Sequence, residues 1–134
     1  MKEIHKIAAM VIKDDAFLMV RKKGKDIWTN LGGHPEGMET EEAALLREIR
    51  EEMGCDATII RKLGDFRAPA AHDDAIVCLS TYLVELRGDI VFNDPELEEY
   101  RYIPHNYSEL GIKLPASIED SILPFCLKEG ILKW

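Results

Sequence analysis

Three glutamates occupy a single turn of a predicted helix. In the segment TEEAALLREIREEMG, residues 40–54, Glu48 precedes Glu51 and Glu52 by three and four positions, which places the carboxylates on one side of a helix. Two carboxylates about 6 Å apart repel each other by roughly 0.7 kcal/mol in water and by about 3 kcal/mol at an effective dielectric of 20. Because carboxylate oxygens are preferred ligands of Mg²⁺ and Mn²⁺, the cluster predicts a divalent metal site.

The same segment indicates where this helix begins and ends. Thr40 can accept a backbone hydrogen bond as the N-cap, acidic residues follow in the first turn, and Gly54 is suited to the C-cap. An apolar stripe lies beside the acidic one and predicts packing against a sheet: Leu45, Leu46, Ile49 and Met53. The carboxylates should therefore lie at the border between the core and the solvent.

Two glycines and an arginine complete the candidate site. Gly32 and Gly33 have no Cβ atoms, so their backbone can approach a metal ion or a phosphate closely. Arg47 precedes Glu51 by four residues, which is the spacing of a helical ion pair, and it can also reach back to the loop that carries Glu39. We therefore expect Arg47 to brace Glu51 by an ion pair.

This spacing resembles the signature box of the Nudix hydrolases. Every fixed position of the box matches: Gly33, Glu39, Arg47, Glu48, Ile49, Glu51, Glu52 and Gly54. The last position, where the family usually has a larger aliphatic residue, is Cys55 in this chain.

The resemblance implies a fold and an activity. The fold is an α/β/α sandwich with a central mixed β-sheet, and the activity is Mg²⁺- or Mn²⁺-dependent hydrolysis of a nucleoside diphosphate linked to another group. A glutamate among residues 96–99 could add a metal ligand or act as the base for the attacking water, a role equally open to the box glutamates. By position, the metal ligands would be Glu48, Glu51, Glu52 and the carbonyl of Gly32. The resemblance also implies that Arg47 and Glu39 orient these carboxylates.

Composition favours one domain that handles a small nucleotide. The 134 residues suit a single domain, 1–134, and the net charge of −8 argues against binding polymeric nucleic acid through its phosphates. Three scattered cysteines indicate reduced thiols, and the sequence has neither a signal peptide nor a long apolar run. We therefore expect a cytoplasmic protein without a membrane partner; a homodimer is compatible with the sequence, but no feature demands one.

Five residues outside the carboxylate cluster are predicted to contact the substrate: Arg21, Lys23, Trp28, His34 and Arg67. Arg21 and Lys23 belong to the basic run 21–25, which could bind phosphate. Trp28 could stack on a base or pack in the core, and His34 could touch the metal or a phosphate. In the predicted loop 67–74, His72 could also lie near a substrate pocket.

The rest of the chain predicts a sheet and a second helix. Apolar and alternating segments indicate strands at residues 3–13, 16–21, 57–67, 75–86 and 100–103, with a short edge strand at 89–92. The second helix is predicted from Ser117, as its N-cap, to about Lys128.

Two alternative functions remain open at this point. Trp28-Thr29-Asn30 and Gly33-His34-Pro35 are similar to a segment of isopentenyl diphosphate isomerase, but the position of that enzyme's acid/base cysteine is Gly32 here. A non-catalytic Nudix-like module that senses a nucleotide is the other alternative, although such modules tend to lose the box carboxylates that this chain keeps. The substrate stays open between modified triphosphates, ADP-ribose or other nucleotide sugars, and dinucleoside polyphosphates, and the small size of the chain favours a triphosphate or a small diphosphate conjugate.

Overall fold

A mixed β-sheet forms the centre of the molecule. The computed structural model describes residues 2–134, and within them seven strands pair in the order β2-β3-β4-β1-β6-β5, with β7 paired to β3. Strands β1 and β6 are parallel, whereas the other strand pairs are antiparallel. The strands are β1 (Lys2–Met10), β2 (Ile12–Lys13), β3 (Ala16–Lys22), β4 (Thr29–Gly33), β5 (Asp56–Pro69), β6 (Ala75–Arg87) and β7 (Leu97–Ile103).

Helix α1 (Glu41–Met53) covers one face of this sheet. Because side chains alternate along a strand, Ile7 and Ala9 of β1 point to the α1 face. They belong to one buried cluster with Leu45, Ile49 and Met53 of the helix. This packing fixes the rotation of α1 about its own axis, so the acidic side of the helix lies at the edge of the contact with the sheet.

The opposite face is covered by a second helical layer. A π-helical segment, Ser117–Ile122, continues directly into helix α2 (Leu123–Lys128). Ile118 of this layer packs in a second buried cluster with Ala8 and Met10, the residues of β1 that alternate with those facing α1. The predicted α/β/α sandwich with a mixed sheet is therefore confirmed. Within residues 2–134, no helix is both long enough and apolar enough to cross a membrane.

The predicted limits of α1 are confirmed. Thr40 Oγ1 accepts a hydrogen bond from the backbone N–H of Ala43 at 3.1 Å, as an N-cap does. Gly54 is left-handed with φ 65°, and its N–H donates to Arg50 O at 3.0 Å. These contacts are local in sequence, which is why the helix could be delimited from residue types alone.

Residues 89–92 do not form the predicted edge strand. The backbone N–H of Val91 donates instead to Met53 O at 2.8 Å. This carbonyl belongs to the last residue of α1 and has no partner within the helix. The segment therefore pairs with the end of the helix rather than with a neighbouring strand.

The prediction that Ser117 caps the second helix was wrong. The N-cap position is Ala116, which makes no side-chain capping bond, and Ser117 is buried. The first part of this helix is π-helical because the N–H of Leu123 donates to Ile118 O, five residues earlier. The next residue, Pro124, has no N–H and so cannot restore the α-helical hydrogen bond at that point.

Candidate active site

The side chain of Arg47 connects the loop before α1 to the carboxylates on the helix. Its Nε and Nη2 donate to the two carboxylate oxygens of Glu39 at 2.8 and 3.0 Å. Its Nη1 lies 3.1 Å from an oxygen of Glu48 and 3.1 Å from an oxygen of Glu51, and Nη2 also donates to the carbonyl of His34. Since the guanidinium is planar and rigid, these bonds fix the relative positions of the loop and the acidic turn.

Glu52 is the most buried of the three clustered glutamates. It is 9% exposed, and its Oε1 accepts a hydrogen bond from the backbone N–H of Gly32 at 2.9 Å. Burial, opposed only in part by this bond, raises the pKa of Glu52 to about 8. Burial also raises the pKa of Glu48, against the opposing effect of Arg47. As anions, both carboxylates are thus partly desolvated and short of positive charge.

The two glycines before the helix are required by close contacts. A Cβ added to Gly33 would lie 2.5 Å from the carboxyl carbon of Glu48. A Cβ added to Gly32 would overlap the carbonyl oxygen of Ile7 on the adjacent strand, and the φ of Gly32 is +137°. The glycine pair therefore lets β4 lie against β1 on one side and lets Glu48 approach the β4 backbone on the other.

The donor atoms of this site fit a hard divalent cation. Glu48, Glu51 and Glu52 supply carboxylate oxygens, and a cation beside them would offset the cost of burying their charge. Within residues 2–134, no three His, Cys, Asp or Glu side chains already converge at metal-binding distances. Hydrogen bonds of Arg47 engage Glu48 and Glu51, and the amide of Gly32 engages Glu52.

A cleft of about 370 Å³ opens beside the three carboxylates. Its volume lies in the range of small-molecule sites, about 300–1,000 Å³. Apolar side chains of the sheet, Ala8, Val77 and Leu79, line part of it, which gives the cleft both an apolar and a charged surface. The charged and polar side chains around it are Lys6, Lys22, Asn30, His34, Glu36, Glu48, Glu51, Glu52, His72, Asp73, Asp94, Glu96 and Ser117.

Of the five predicted substrate contacts, one lines this cleft and one lies in the core outside the lining. His34 lines it, with its Nδ1 3.1 Å from the carbonyl oxygen of His5. Trp28 is 5% exposed and belongs to the core on the α2 face, as its core-packing alternative predicts. Its ring is covered by the guanidinium of Arg21 at 5.9 Å, so no open face is available on that side for stacking on a base.

The other three predicted contacts lie away from the cleft lining. Arg21 donates to a carboxylate oxygen of Glu99 at 2.8 Å. Lys23 is exposed and does not line the cleft. Arg67 lies in β5, not in the predicted loop, and forms an ion pair with Glu3.

The structure brings two lysines to the cleft; sequence reasoning did not select Lys6, and it included Lys22 only as a member of the basic run 21–25. Lys6 lies in β1, and Lys22 lies at the end of β3, next to the Arg21 and Lys23 of the same basic run. The sequence did contain an indication that Lys6 has a role. It is a charged residue on the same face of β1 as Ala8 and Met10, which are buried. His72 also lines the cleft.

A comparison with protein-family models places this architecture in a known group. The NUDIX domain model matches residues 3–120, which is most of the 134-residue chain. The chain belongs to the Nudix family. The family predicted from the glycine, arginine and glutamate spacing of the box is thereby confirmed.

Two curated proteins are 35% identical to parts of this Nudix chain. The CTP pyrophosphohydrolase of Escherichia coli (strain K12) matches over 63 residues, 44% of this chain and 47% of the relative. The putative 8-oxo-dGTP diphosphatase of Bacillus subtilis (strain 168) matches over 57 residues, 42% of this chain and 38% of the relative. The matched part therefore spans less than half the length of either curated relative.

Solved structures resemble the Nudix chain over nearly all of its length. A UDP-X diphosphatase superposes with a TM-score of 0.75 at 20% identity, covering 98% of this chain and 65% of that one. The Escherichia coli ORF135 protein superposes with a TM-score of 0.72 at 24% identity, covering 97% and 94%. At these identities the likeness establishes the shared fold.

Proposed function

We propose that this Nudix protein hydrolyses a phosphoanhydride bond in a nucleoside diphosphate linked to another moiety, and that the reaction depends on Mg²⁺ or Mn²⁺. One observation carries the proposal: Glu48, Glu51 and Glu52 line the wall of the 370 Å³ cleft, where Arg47 orients the first two and Gly32 binds the third. A cleft with this acidic wall suits a polyphosphate only when a cation lies between the two sets of negative charge.

Each residue of the site has a separate task in this proposal. Glu48, Glu51 and Glu52, with the carbonyl of Gly32, would hold the cation. When bound, the cation offsets negative charge on the diphosphate and lowers the pKa of an attacking water. Arg47 and Glu39 keep the acidic turn and the preceding loop in register through the paired bonds at 2.8 and 3.0 Å.

Hydrolysis also needs an acceptor for the proton of the attacking water. The water oxygen forms a bond to phosphorus, the phosphoanhydride P–O bond breaks, and the proton passes to a carboxylate. A carboxylate that ligates a cation is a weak acceptor, so a glutamate outside the ligand set suits this step better. In the segment 96–99, Glu96 lines the cleft, whereas Glu99 is bound by Arg21.

The names of similar proteins support a nucleotide as the substrate. Those names refer to CTP, 8-oxo-dGTP and a UDP conjugate, and each of these compounds contains a nucleoside with a diphosphate unit. We extend the proposal to a small-molecule substrate and a cytoplasmic location. The second point is supported by three free cysteines, Cys55, Cys78 and Cys126, which suit a reducing compartment.

The two alternative functions have less support. The isomerase alternative requires a cysteine that acts as an acid or base toward a substrate carbon. Among residues 2–134, the lining of the cleft contains no cysteine. The sensing alternative requires no carboxylate cluster, yet this chain retains all three box glutamates at the cleft. Nucleotide binding without turnover under any divalent metal would favour the sensing alternative over hydrolysis.

The test is a panel of nucleoside diphosphate derivatives with Mg²⁺ and Mn²⁺, scored for released phosphate, pyrophosphate or nucleoside monophosphate, with a chelator control. Glu52→Gln should lower turnover more than about a hundredfold, a loss typical of removing a charged group from an active site, while the circular dichroism spectrum stays unchanged. Glu42→Gln is the matched control, because Glu42 is exposed, lies on the same helix and is outside the cleft. Near-normal turnover by Glu52→Gln would reject the assignment.

A further inference from the structure

We propose that Lys6 and Lys22 bind the terminal phosphate of a nucleoside triphosphate, so that this protein prefers a triphosphate to a nucleoside diphosphate joined to a sugar. The inference rests on the proposed hydrolase function and deepens it by choosing a substrate class. It concerns two lysines that line the same cleft as the carboxylates and lie on different strands.

The position of Lys6 relates the lysines to the carboxylate wall. Lys6 is half-buried and is close enough to Glu48, Glu52 and Lys22 to interact electrostatically with each of them. Lys22 lines the same cleft from the end of β3. A polyphosphate bound in this cleft therefore has the carboxylates and both lysines among the residues around it.

Neither lysine forms a direct ion pair within the described residues. Within residues 2–134, the lysines that form ion pairs are Lys62 and Lys113, not Lys6 or Lys22. Burial and the neighbouring charge of Lys22 lower the pKa of Lys6, although the acidic residues around it oppose this effect. Two neighbouring lysines without a direct ion-pair partner can therefore both donate to an anion that enters the cleft.

His72 lines the same cleft and lies near the two lysines. Burial and the charges of Lys22, Lys25 and Lys6 lower the pKa of its imidazole, with only Asp73 opposing them. Within the described residues, its buried Nε2 has no hydrogen-bond partner. These lysines lie close enough to His72 to affect its pKa, even though the chain as a whole carries a net charge of −8.

The charge of the lysine pair matches a terminal phosphate better than a sugar. A phosphate with only one ester or anhydride link carries about −1.5 to −2 at pH 7, whereas each phosphate in the bridge of a nucleotide sugar carries a single charge. With a terminal phosphate between them, both lysines form charge-assisted hydrogen bonds. With a neutral sugar in the same place, the lysines stay close together without a counter-charge.

The experiment compares substrates in pairs, and the two members of each pair share a base and differ only beyond the diphosphate. UTP with UDP-glucose, and ATP with ADP-ribose, are assayed with the full chain and Mg²⁺. We expect wild type to have the higher kcat/KM for the triphosphates. Lys22→Gln and Lys6→Gln should each lower that value about tenfold or more, mainly through KM, because each loses a charge-assisted bond. For UDP-glucose and ADP-ribose, kcat/KM should change by no more than about threefold, because binding of their diphosphate bridge does not depend on the two lysines.

Control variants separate a phosphate contact from a general loss of positive charge. Lys23→Gln removes a lysine from the same basic run but outside the cleft, so it should retain both kcat/KM values. Lys22→Arg retains the charge and should retain the triphosphate preference. Competitive inhibition by inorganic tripolyphosphate provides a second measurement, and Lys22→Gln should weaken it while Lys23→Gln leaves it unchanged. Because Lys22 is exposed, its variants test the proposal even if Lys6→Gln fails to fold.

Three possible results of these assays separate the terminal-phosphate assignment from the proposed hydrolase function. An equal loss on both members of a substrate pair would overturn the terminal-phosphate assignment. A wild-type preference for UDP-glucose or ADP-ribose would also overturn it, while leaving the hydrolase proposal intact. Absence of hydrolysis by wild type on every compound and metal would reject the proposed function itself, on which this inference rests.

Discussion

At the scale of single residues, Gly33 shows how the backbone limits the candidate site. A Cβ at this position would lie 2.5 Å from the carboxyl group of Glu48, which is too close for two unbonded atoms. The φ of Gly33 is not in the left-handed region, so the backbone itself would accept alanine. Substitution here therefore changes the position of one carboxylate without imposing backbone strain.

We predict that Gly33→Ala lowers turnover about tenfold or more, because a displacement of about 1 Å at a reacting site is costly. Its thermal stability should fall by only about 1–3 kcal/mol, the usual cost of overpacking. The measurements are kcat with saturating Mg²⁺ and a thermal melt. Gly37→Ala is the control. The φ of Gly37 is +54°, which would strain alanine, but no atom lies within 4 Å of an added Cβ. This variant should therefore lose stability and retain turnover. Unchanged kcat in Gly33→Ala would contradict the prediction.

Contacts between residues could be predicted from the sequence where they are local. The Arg47–Glu51 pair follows from helical spacing, and the Arg47–Glu39 pair follows from the box that both residues belong to. The proximity of Lys6 to Glu48 and Glu52 could not be predicted in this way. It depends on β1 lying beside β4 in the sheet, and strand order is not encoded in the residues of either strand alone.

At the scale of elements, the first turn of α1 is bound to the sheet through Glu41. Its Oε1 accepts a hydrogen bond from Tyr82 at 2.6 Å, and its Oε2 accepts one from Ser80 at 3.0 Å. Lys62 adds an ion pair at 3.2 Å. Ser80 and Tyr82 belong to β6 and are nearly inaccessible, so these bonds are shielded from water. Glu41 thus positions the start of the helix that carries Glu48 two turns later.

We predict that Glu41→Gln is less stable than wild type at pH 7 by about 1 kcal/mol, the typical value of a lost charge-assisted bond in a partly exposed site. Burial raises the pKa of Glu41, but bonds from Tyr82, Lys62 and Ser80 outweigh burial and hold the pKa below its usual value of 4.5. A lowered pKa in the folded state stabilises the protein above pH 4.5, and this contribution is lost as the pH falls further.

The measurement is urea unfolding of both proteins at several pH values. The difference in the free energy of unfolding should be largest at neutral pH and should close at acidic pH, below the folded pKa of Glu41. Glu42→Gln, which replaces the adjacent exposed carboxylate, should show a smaller difference that changes less with pH. A Glu41→Gln difference that is constant from acidic to neutral pH would assign the effect to packing rather than to charge.

Elements could be predicted as far as their hydrogen bonds are local. The limits of α1 depend on Thr40 and Gly54, which bind backbone groups within four residues. The segment 89–92 binds Met53 O, which is distant in sequence, so its apolar residues indicated a strand that does not form. In the second helix, a serine followed by acidic residues resembled a capping sequence, but Ser117 is already the first residue of the helical segment, and the N-cap position is Ala116.

At the scale of the whole molecule, the two helical layers and the sheet divide structural and functional tasks. Alternate residues of β1 belong to the two buried clusters, so the sheet is covered on both faces. The cleft receives residues from β1, β3, β4, α1, the loop before β6 and the π-helical segment. The sandwich could be predicted because the box identifies a family with one fold. The residues that line the cleft could not be predicted, because they come from segments throughout most of the chain.

Because the cleft is built from many elements of the fold, a cation that binds there should stabilise the whole fold. Glu48 and Glu52 have raised pKa values because their charge is buried, and a divalent ion would relieve that cost in the folded state only. At a metal concentration about a hundred times the dissociation constant, the gain is about 2.7 kcal/mol. We therefore predict that Mg²⁺ raises the melting temperature by several degrees and that a chelator abolishes both this rise and turnover.

The variant Glu48→Gln/Glu52→Gln separates this effect from general screening. With both carboxyl charges removed, the protein should start from a higher metal-free melting temperature at pH 8, because it no longer buries two anions. It should then gain little from Mg²⁺. KCl at matched ionic strength is the second control, since salt also screens the net charge of −8 in both proteins. If Mg²⁺ and KCl raised the melting temperatures of wild type and variant equally, the ion would be acting on the overall charge and not at the carboxylate cluster.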